Sequence, residues 1–367
     1  MIPWTLVMRI GPNRGFQLDF GDGAQLIRNN YLKTLARKTR HSQNFSKHDG
    51  VGVMADLHEL IIRHGKEAAR EMVPARQRSL VDIAAEILAS ETNDFAATYA
   101  GFCLTSLPHR DPGVRTWERK NGRCSLLVEA GRISEGRQWV ECGLPFGSKA
   151  RLILLYMQTM AIRDQSRFIE LGGSLHEWMK RLGVPVGGKS YSHIREQARR
   201  LSACTMYLGY ATDEGAEATT KTPIANTILL APSRPYSGAT AVAQASLWEE
   251  RIELSQSFYE LLQKHPVPVY EPAIQQLQNN SAALDVYVWL CYRLHVLQGP
   301  TPISWTRLKE QFGQQYATSY QFRHKFKDTL ALALAVYPDA RIKETKAGVI
   351  LFPSDPAVAK RHLKVAS

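Results

Sequence analysis

The 367-residue sequence lacks the features of membrane and secreted proteins. No apolar run reaches the roughly 18 residues that a membrane-spanning helix needs. The longest candidate, residues 150–162, is shorter and contains Arg151 and Gln158. The N-terminal MIPWTLVM has no basic region before it and no cleavage site after it, so nothing indicates a secretory signal. These absences predict a cytoplasmic protein without a membrane partner.

The sequence also lacks paired cysteines. It has five, an odd number at irregular spacing, and no C-x-x-C. This usage is typical of reduced, buried thiols in a reducing compartment. The alternative is a zinc site, if the fold brought three cysteines and a histidine together. The residues concerned are Cys103, Cys124 and Cys142 with His109, beside the remaining Cys204 and Cys291. Scattered thiols are the favoured interpretation, with no metal and no cofactor.

Catalytic motifs are missing or lack their context. GVPVGGKS, Gly183–Ser190, matches the phosphate-loop pattern G-x-x-x-x-G-K-[ST]. A phosphate loop follows a buried strand, but the preceding SLHEWMKRL has a helical pattern, and Pro185 removes one N–H from the cradle. No apolar strand ends in a metal-binding acid. The stretch therefore predicts a turn between two helices, with Gly183 ending the first helix and Lys189 near the start of the second.

A rolling-circle nuclease would need a His-apolar-His metal pair, and the eleven histidines include none. Tyr316 and Tyr320 lie one helical turn apart, but without a metal site they are expected to pack or to contact DNA. The sequence therefore predicts a protein that is not an enzyme.

Positive charge is the most unusual feature present. The chain has 46 Lys and Arg against 34 Asp and Glu, a net charge of +12 and a sequence pI near 9.5. A chain this basic favours polyanionic partners, nucleic acid first and a membrane surface second.

The order of patterns along the chain predicts an α+β fold. In both halves a helix is followed by a short strand, two helices separated by a turn, and two extended segments, which is the order of a winged helix. The first wing is expected to pair TMYLGYA with IANTILLAPS, and Asn121-Gly122 predicts an earlier hairpin. We expect two tandem winged-helix domains with an N-terminal helical and β-hairpin extension. Residues 1–53 are predicted to be a poorly ordered basic segment or an upstream extension, in which case Met54 is a candidate start. The N-terminal helices and hairpin follow at 54–130, the first winged helix at 131–245 and the second at 246–353. A basic tail is expected at 354–367.

Helix phasing selects candidate DNA-binding residues. In the first domain they lie opposite the apolar stripe Tyr191, Ile194, Ala198 and Leu201, and in the second opposite Phe322 and Phe326. Wing residues add phosphate contacts. The candidates are Lys189, Ser190, Ser192, Arg195, Arg199 and Arg200 in the first domain, and Tyr320, Gln321, Arg323, Lys327, Arg341, Lys343 and Lys346 in the second.

Several blocks of the sequence resemble a known family. CGLPFGSKARLILLYMQTMAIR, WMKRLGVPVGGKSYSHIREQARRLSAC and PVPVYEPAIQQLQNNSAALDVYVWLCYRLH are similar to RepA-type plasmid replication initiators. The resemblance runs from about residue 54 to residue 353. It implies a non-enzymatic protein that binds repeated double-stranded sites at a plasmid origin, helps to open the duplex, and recruits the host initiator and replicative helicase. It also implies a homodimer that represses its own promoter. A winged-helix transcription regulator without a replication role is the alternative.

Overall fold

The computed structural model describes residues 55–135, 137–185, 188–211, 217–229 and 251–358. The predicted basic segment 1–53 and most of the predicted tail 354–367 lie outside these ranges. The helices are α1 Ala55–His64, α2 Lys66–Met72, α3 Arg78–Ala89, α4 Ala100–Leu104, α5 Gly147–Arg163, α6 Gly172–Arg181, α7 Gly188–Ala203, α8 Gln256–Lys264, α9 Glu271–Leu277, α10 Ser281–Arg293, α11 Trp305–Phe312 and α12 Ser319–Ala335. The strands are β1 Phe95–Tyr99, β2 Thr116–Asn121, β3 Cys124–Glu129, β4 Arg132–Glu135, β5 Gln138–Glu141, β6 Phe168–Glu170, β7 Thr205–Ala211, β8 Glu217–Pro223, β9 Ala225–Leu229, β10 Arg251–Leu254, β11 Pro266–Tyr270, β12 Thr301–Ser304, β13 Ile342–Glu344 and β14 Gly348–Leu351.

The first unit of the fold runs from α5 to β10. Helix α5 is its centre, with side chains from Ala150 to Thr159 buried all round, because other elements pack on every side of it. Strand β6, helices α6 and α7, and strands β9 and β10 follow. The three strands form one antiparallel sheet in the order β6-β10-β9.

The strand pairing predicted for the first wing is wrong. Strand β7 (TMYLGYA) pairs with β8, whose residues were predicted as part of a hairpin loop, and not with β9. Strand β9 instead pairs with β10, which was predicted in the second domain. The reason is that β3 of the N-terminal region pairs with β7. Strands β7 and β8 therefore belong to a four-stranded sheet with the order β2-β3-β7-β8. The hairpin at Asn121-Gly122 is confirmed, with Gly122 at a φ of 56°.

The second unit runs from α10 to β14 and repeats the order of the first, apart from β7 and β8, which the first unit carries in addition. A long buried helix, α10, is followed by β12, α11, α12 and the hairpin β13–β14. Its sheet has the order β12-β14-β13. In each unit the strand that comes last in the chain, β10 or β14, lies in the sheet between the other two strands. Ser304 caps α11 by accepting a hydrogen bond from Arg307 N–H, and Thr318 caps α12 in the same way through Gln321 N–H.

The Pro-rich segment between the two units is buried. Strand β11 (PVPVY) pairs with β1 through five residues, so the N-terminal region and the connection form one sheet. Glu271, the first residue of α9, is 3% exposed and its carboxylate is 2.6 Å from Arg181 Nε at the end of α6. One apolar core extends through both units as a result. The linker is a packed element, because its alternating valines face the core.

A buried ion pair joins the two central helices. Arg151 of α5 donates to both carboxylate oxygens of Asp285 of α10, at 2.6 and 2.7 Å, and both side chains are less than a tenth exposed. Arg151 also donates to the carbonyl oxygens of Leu107, Pro108 and Gly147. His109 lies 3.8 Å from Asp285, and its burial lowers its pKa to about 4. The pair fixes the first unit against the second.

Candidate nucleic-acid interface

The turn between α6 and α7 occupies the phosphate-loop-like stretch. A helix feeds it, as predicted, and Gly183 ends that helix at a φ of 71°, a conformation that side chains with a Cβ rarely adopt. Gln278 of the connecting segment donates to Leu182 O at 2.6 Å and covers the turn. Helix α7 begins at Gly188, so Lys189 and Ser190 stand in its first turn, as the sequence indicated. The predicted reversal at Gly187 and the Lys189 side chain lie outside what the structure describes.

Helix α7 presents a polar face away from the core. Ile194, Ala198 and Leu201 are buried, which confirms the predicted apolar stripe at these three positions. The Tyr191 side chain is outside the described residues. Of the predicted contact residues, Ser192 is exposed, and Ser190, Arg195 and Arg199 are partly exposed. The helix therefore offers a short polar surface with two arginines one turn apart.

Arg200, one of the predicted contact residues, makes several contacts within the protein. Its guanidinium donates to Glu196 and Asp111, at 2.8 Å each, and to Leu144 O at 3.1 Å. It also stacks on Phe146 at 5.1 Å. The hydrogen bond from Arg200 lowers the pKa of Asp111. Through these contacts Arg200 holds the segment before α5 against α7, and its contact with DNA stays a prediction.

Helix α12 of the second unit has the more open surface. Phe322, Phe326 and Leu330 are buried, so the predicted stripe is confirmed. Tyr320 is 80% exposed, the largest exposed fraction among the large apolar and aromatic side chains that are described. The other exposed residues of this face are Gln321, Arg323, His324, Lys325, Lys327 and Asp328. They form a mainly basic surface with an aromatic residue at its N-terminal end, a combination suited to phosphates and bases.

The hairpin β13–β14 adds basic residues whose side chains point in different directions. Arg341 and Lys346 are exposed just before and just after β13. Lys343 lies within the strand, between Ile342 and Glu344, so its side chain is on the opposite face from these two neighbours. Of the three predicted wing residues, Lys343 therefore points away from the face that Glu344 presents to α12.

Two residues of this surface were missed by sequence reasoning. Trp305, the first residue of α11, is buried beneath two cations, with Arg323 5.7 Å and Lys327 6.0 Å from its ring centre. Glu344 forms an ion pair with Lys327. The alternation of β13 could have indicated that Glu344 shares a face with Ile342, but its partner on α12 depends on tertiary packing.

The predicted alternatives based on a metal have no geometric counterpart in the described parts of the chain. There, His, Cys, Asp and Glu side chains form no group of three or more suited to a metal ion. His109 instead contacts Ser281 Oγ at 3.0 Å and lies beside Asp285. Within the same ranges, no helix combines the length and apolarity required to cross a bilayer.

Comparison with known proteins bears on the family. Residues 144–306 match the model of a family described as plasmid encoded RepA protein. The family prediction is confirmed over these residues. The RepA-like stretch spans the first unit, the buried connection and the start of the second unit, and it ends at the second residue of α11. This match supports a role as a plasmid replication initiator.

Solved structures give weaker likenesses. Crystal structures of domains 2 and 3 of RctB match with 11% and 12% identity and TM-scores of 0.42 and 0.40. Each match covers 68% of this chain, and 95% and 94% of the RctB chains. The search of curated proteins found no match.

Proposed function

We propose that the protein is a non-enzymatic plasmid replication initiator that binds repeated double-stranded sites at the plasmid origin. The observation that carries the proposal is the α12 surface, where Tyr320, Arg323 and Lys327 stand exposed on one helix of a RepA-like chain. Exposed cations on such a helix bind phosphates and base edges. A net charge of +12 favours the same partner.

We propose that both units are winged helices. Two features support this. The first is the order of helix, strand, two helices and two strands, which the first unit shares once the inserted strands β7 and β8 are set aside. The second is the shared sheet order, in which the first strand pairs with the last. In such a unit the third helix enters the major groove and the wing lies along the backbone. Helices α7 and α12 take the recognition position in this scheme. The contact residues would be Lys189, Ser190, Ser192, Arg195 and Arg199 in α7, and Tyr320, Gln321, Arg323, Lys327, Arg341, Lys343 and Lys346 in the second unit.

The buried Arg151–Asp285 pair and the packed β11 connection support binding as one body. If the two units are held together, one protein molecule reads two segments of duplex at a fixed separation. Opening of the duplex, recruitment of the host initiator and helicase, and dimer-based repression of its own promoter belong to the same proposal, and they rest on the family resemblance alone.

The test is a gel shift on duplex DNA from the origin of the encoding plasmid, across a salt series. We expect a steep fall in affinity with salt, with a slope near −0.9 for each phosphate contact. Arg199→Gln and Arg323→Gln, one in each unit, should each reduce affinity for the origin duplex. A residue that reads a base costs about 1–3 kcal/mol, whereas one that contacts only phosphate reduces the salt slope by about 0.9.

Lys120→Gln is the matched control, since it removes one exposed positive charge from β2, outside the proposed face. Binding that is insensitive to salt, or equal losses in all three variants, would contradict the proposal. Loss of plasmid maintenance with either arginine variant would favour an initiator over a plain transcription regulator. Detectable ATP binding that Lys189→Ala abolishes would overturn the non-enzymatic assignment.

A further inference from the structure

An acidic side chain of the β13–β14 hairpin reaches the basic surface of the second unit. Glu344 of β13 forms an ion pair with Lys327 of α12, and the two side chains are 45% and 49% exposed. Lys327 is one of the cations assigned above to DNA. In the free protein this lysine therefore already has a carboxylate partner.

The hairpin that carries Glu344 is anchored on α11 and β12. The Trp305 ring lies beneath Lys327. The backbone N–H of Trp305 donates to Ala347 O, in the turn of the hairpin, at 3.0 Å. Gly348 approaches Ile303 so closely that an added Cβ would lie 1.9 Å from the Ile303 carbonyl oxygen. The wing is thereby held against both α11 and β12, and Glu344 is held facing α12.

The pairing pattern of the wing makes this orientation specific. Glu344 pairs with Val349 and Ile342 with Leu351, two partners that are buried. Successive strand residues alternate between faces, so Glu344 shares the inner face with Ile342 while Lys343 does not. The acid is thus directed at the recognition-type helix by the strand register.

An exposed ion pair of this kind contributes little to folding stability, because water and salt screen both charges. Lys327 can therefore exchange its carboxylate partner for a phosphate when a backbone comes close. A duplex that docks loosely leaves the ion pair intact, and Lys327 then contributes no binding free energy to that complex. A duplex that seats α12 fully brings a phosphate within its reach.

We propose that Glu344 is a specificity-determining residue, which restrains binding to arbitrary duplex DNA by holding Lys327 until a cognate site displaces it. This inference rests on the DNA-binding function proposed above. On this proposal Glu344 lowers affinity for random duplex DNA more than affinity for the cognate site.

The test compares wild type with Glu344→Gln on the origin duplex and on a random duplex of equal length. Freeing one phosphate contact makes the salt slope on random DNA steeper by about 0.9, which raises affinity about eightfold at 0.1 M monovalent salt. We expect a smaller rise on the origin duplex, and so a fall in the ratio of the two affinities. An equal rise on both duplexes, or no rise on random DNA, would overturn the inference.

A double-mutant cycle isolates the pair. In a Lys327→Gln background, Glu344→Gln should no longer change affinity for random DNA. A full effect in that background would mean general charge repulsion and would refute the role of the pair. Glu310→Gln, which removes an exposed acid from α11, is the charge-matched control and should leave the affinity ratio unchanged.

Lys327→Gln alone gives an independent check that needs no change at Glu344. It should reduce affinity for the origin duplex about eightfold at 0.1 M salt and leave affinity for random DNA nearly unchanged. Equal losses on both duplexes would overturn the inference. Wild-type protein that binds neither duplex would refute the proposed function itself, an outcome distinct from failure of the Glu344 variants.

Discussion

Replacing Asp285 with Asn tests the buried connection between the two units. The side chain keeps its size, but Arg151 loses the only carboxylate within hydrogen-bond distance among the described residues. Arg151 is 7% exposed on its side chain, so water cannot take over the role of the carboxylate. Its remaining described acceptors are uncharged, namely three backbone carbonyls and the His109 ring nitrogen at 3.4 Å.

The magnitude follows from leaving a buried charge without its partner, which costs about 3–5 kcal/mol. A second buried arginine increases the cost. The Arg119 guanidinium is fully buried, lies 4.6 Å from the Trp117 ring, and burial lowers its pKa to about 10 while Asp285 acts to raise it. Without Asp285, neither of these two buried arginines would keep its carboxylate partner among the described residues.

The assay is urea unfolding, followed by tryptophan fluorescence and by far-ultraviolet circular dichroism. We expect the free energy of unfolding to fall by about 3–5 kcal/mol in Asp285→Asn. Asp328→Asn removes an acid that is 68% exposed on α12 and should change stability by less than about 0.5 kcal/mol. The double variant Arg151→Met/Asp285→Leu removes both charges and should be more stable than the single variant, since an apolar pair needs no charge partner.

A fall of less than about 1 kcal/mol in the free energy of unfolding of Asp285→Asn would refute the role assigned to the Arg151–Asp285 pair. A double variant less stable than the single variant would refute it as well. Either result would mean that the three carbonyls that accept from Arg151, rather than the carboxylate, hold this region together.

Three further predictions concern stability. Burial lowers the pKa of His109 to about 4 in the folded protein, against an ordinary 6.5, so between these pH values only the unfolded chain binds a proton at this residue. The free energy of unfolding should therefore fall by about 3 kcal/mol as the pH drops from above 6.5 to below 4. His109→Gln should flatten that part of the stability profile against pH. Gly131→Ala should destabilise the hairpin β4–β5 against α7, because its Cβ would lie 1.9 Å from Ala203 O; thermal unfolding near the wild-type temperature would contradict this contact. Ser304→Ala should cost about 1 kcal/mol by removing the N-cap of α11, measured by urea unfolding, whereas Ser304→Asp should retain most of the stability.

The sequence predicted the order of elements well because that order is written in local patterns. The apolar stripes of α7 and α12 follow from 3.6-residue spacing, and the glycine turn at Gly183 follows from the need for a positive φ. The helical pattern of the residues before Gly183 likewise argued against a phosphate loop, because a phosphate loop follows a buried strand. These features depend on neighbouring residues only.

Strand partners and the roles of individual cations were decided by the tertiary structure. Strand β7 looks like a wing strand, but β3 lies beside it in space and pairs with it. Arg199 and Arg200 are adjacent on one helix, yet Asp111 and Leu144, distant in sequence, bind the donors of Arg200. Periodicity shows which face of an element is polar, but it cannot show which distant residue meets that face.

Residues alone therefore determined the basic character of the chain, its two similar units and its resemblance to RepA proteins. Packing alone decided that the connection between the units is buried, that Arg151 meets Asp285 across 134 positions of sequence, and that Glu344 meets Lys327. The physical reason is the same in each case. A charged side chain takes its partner from whatever the folded backbone places within about 4 Å, and local sequence does not encode that distance.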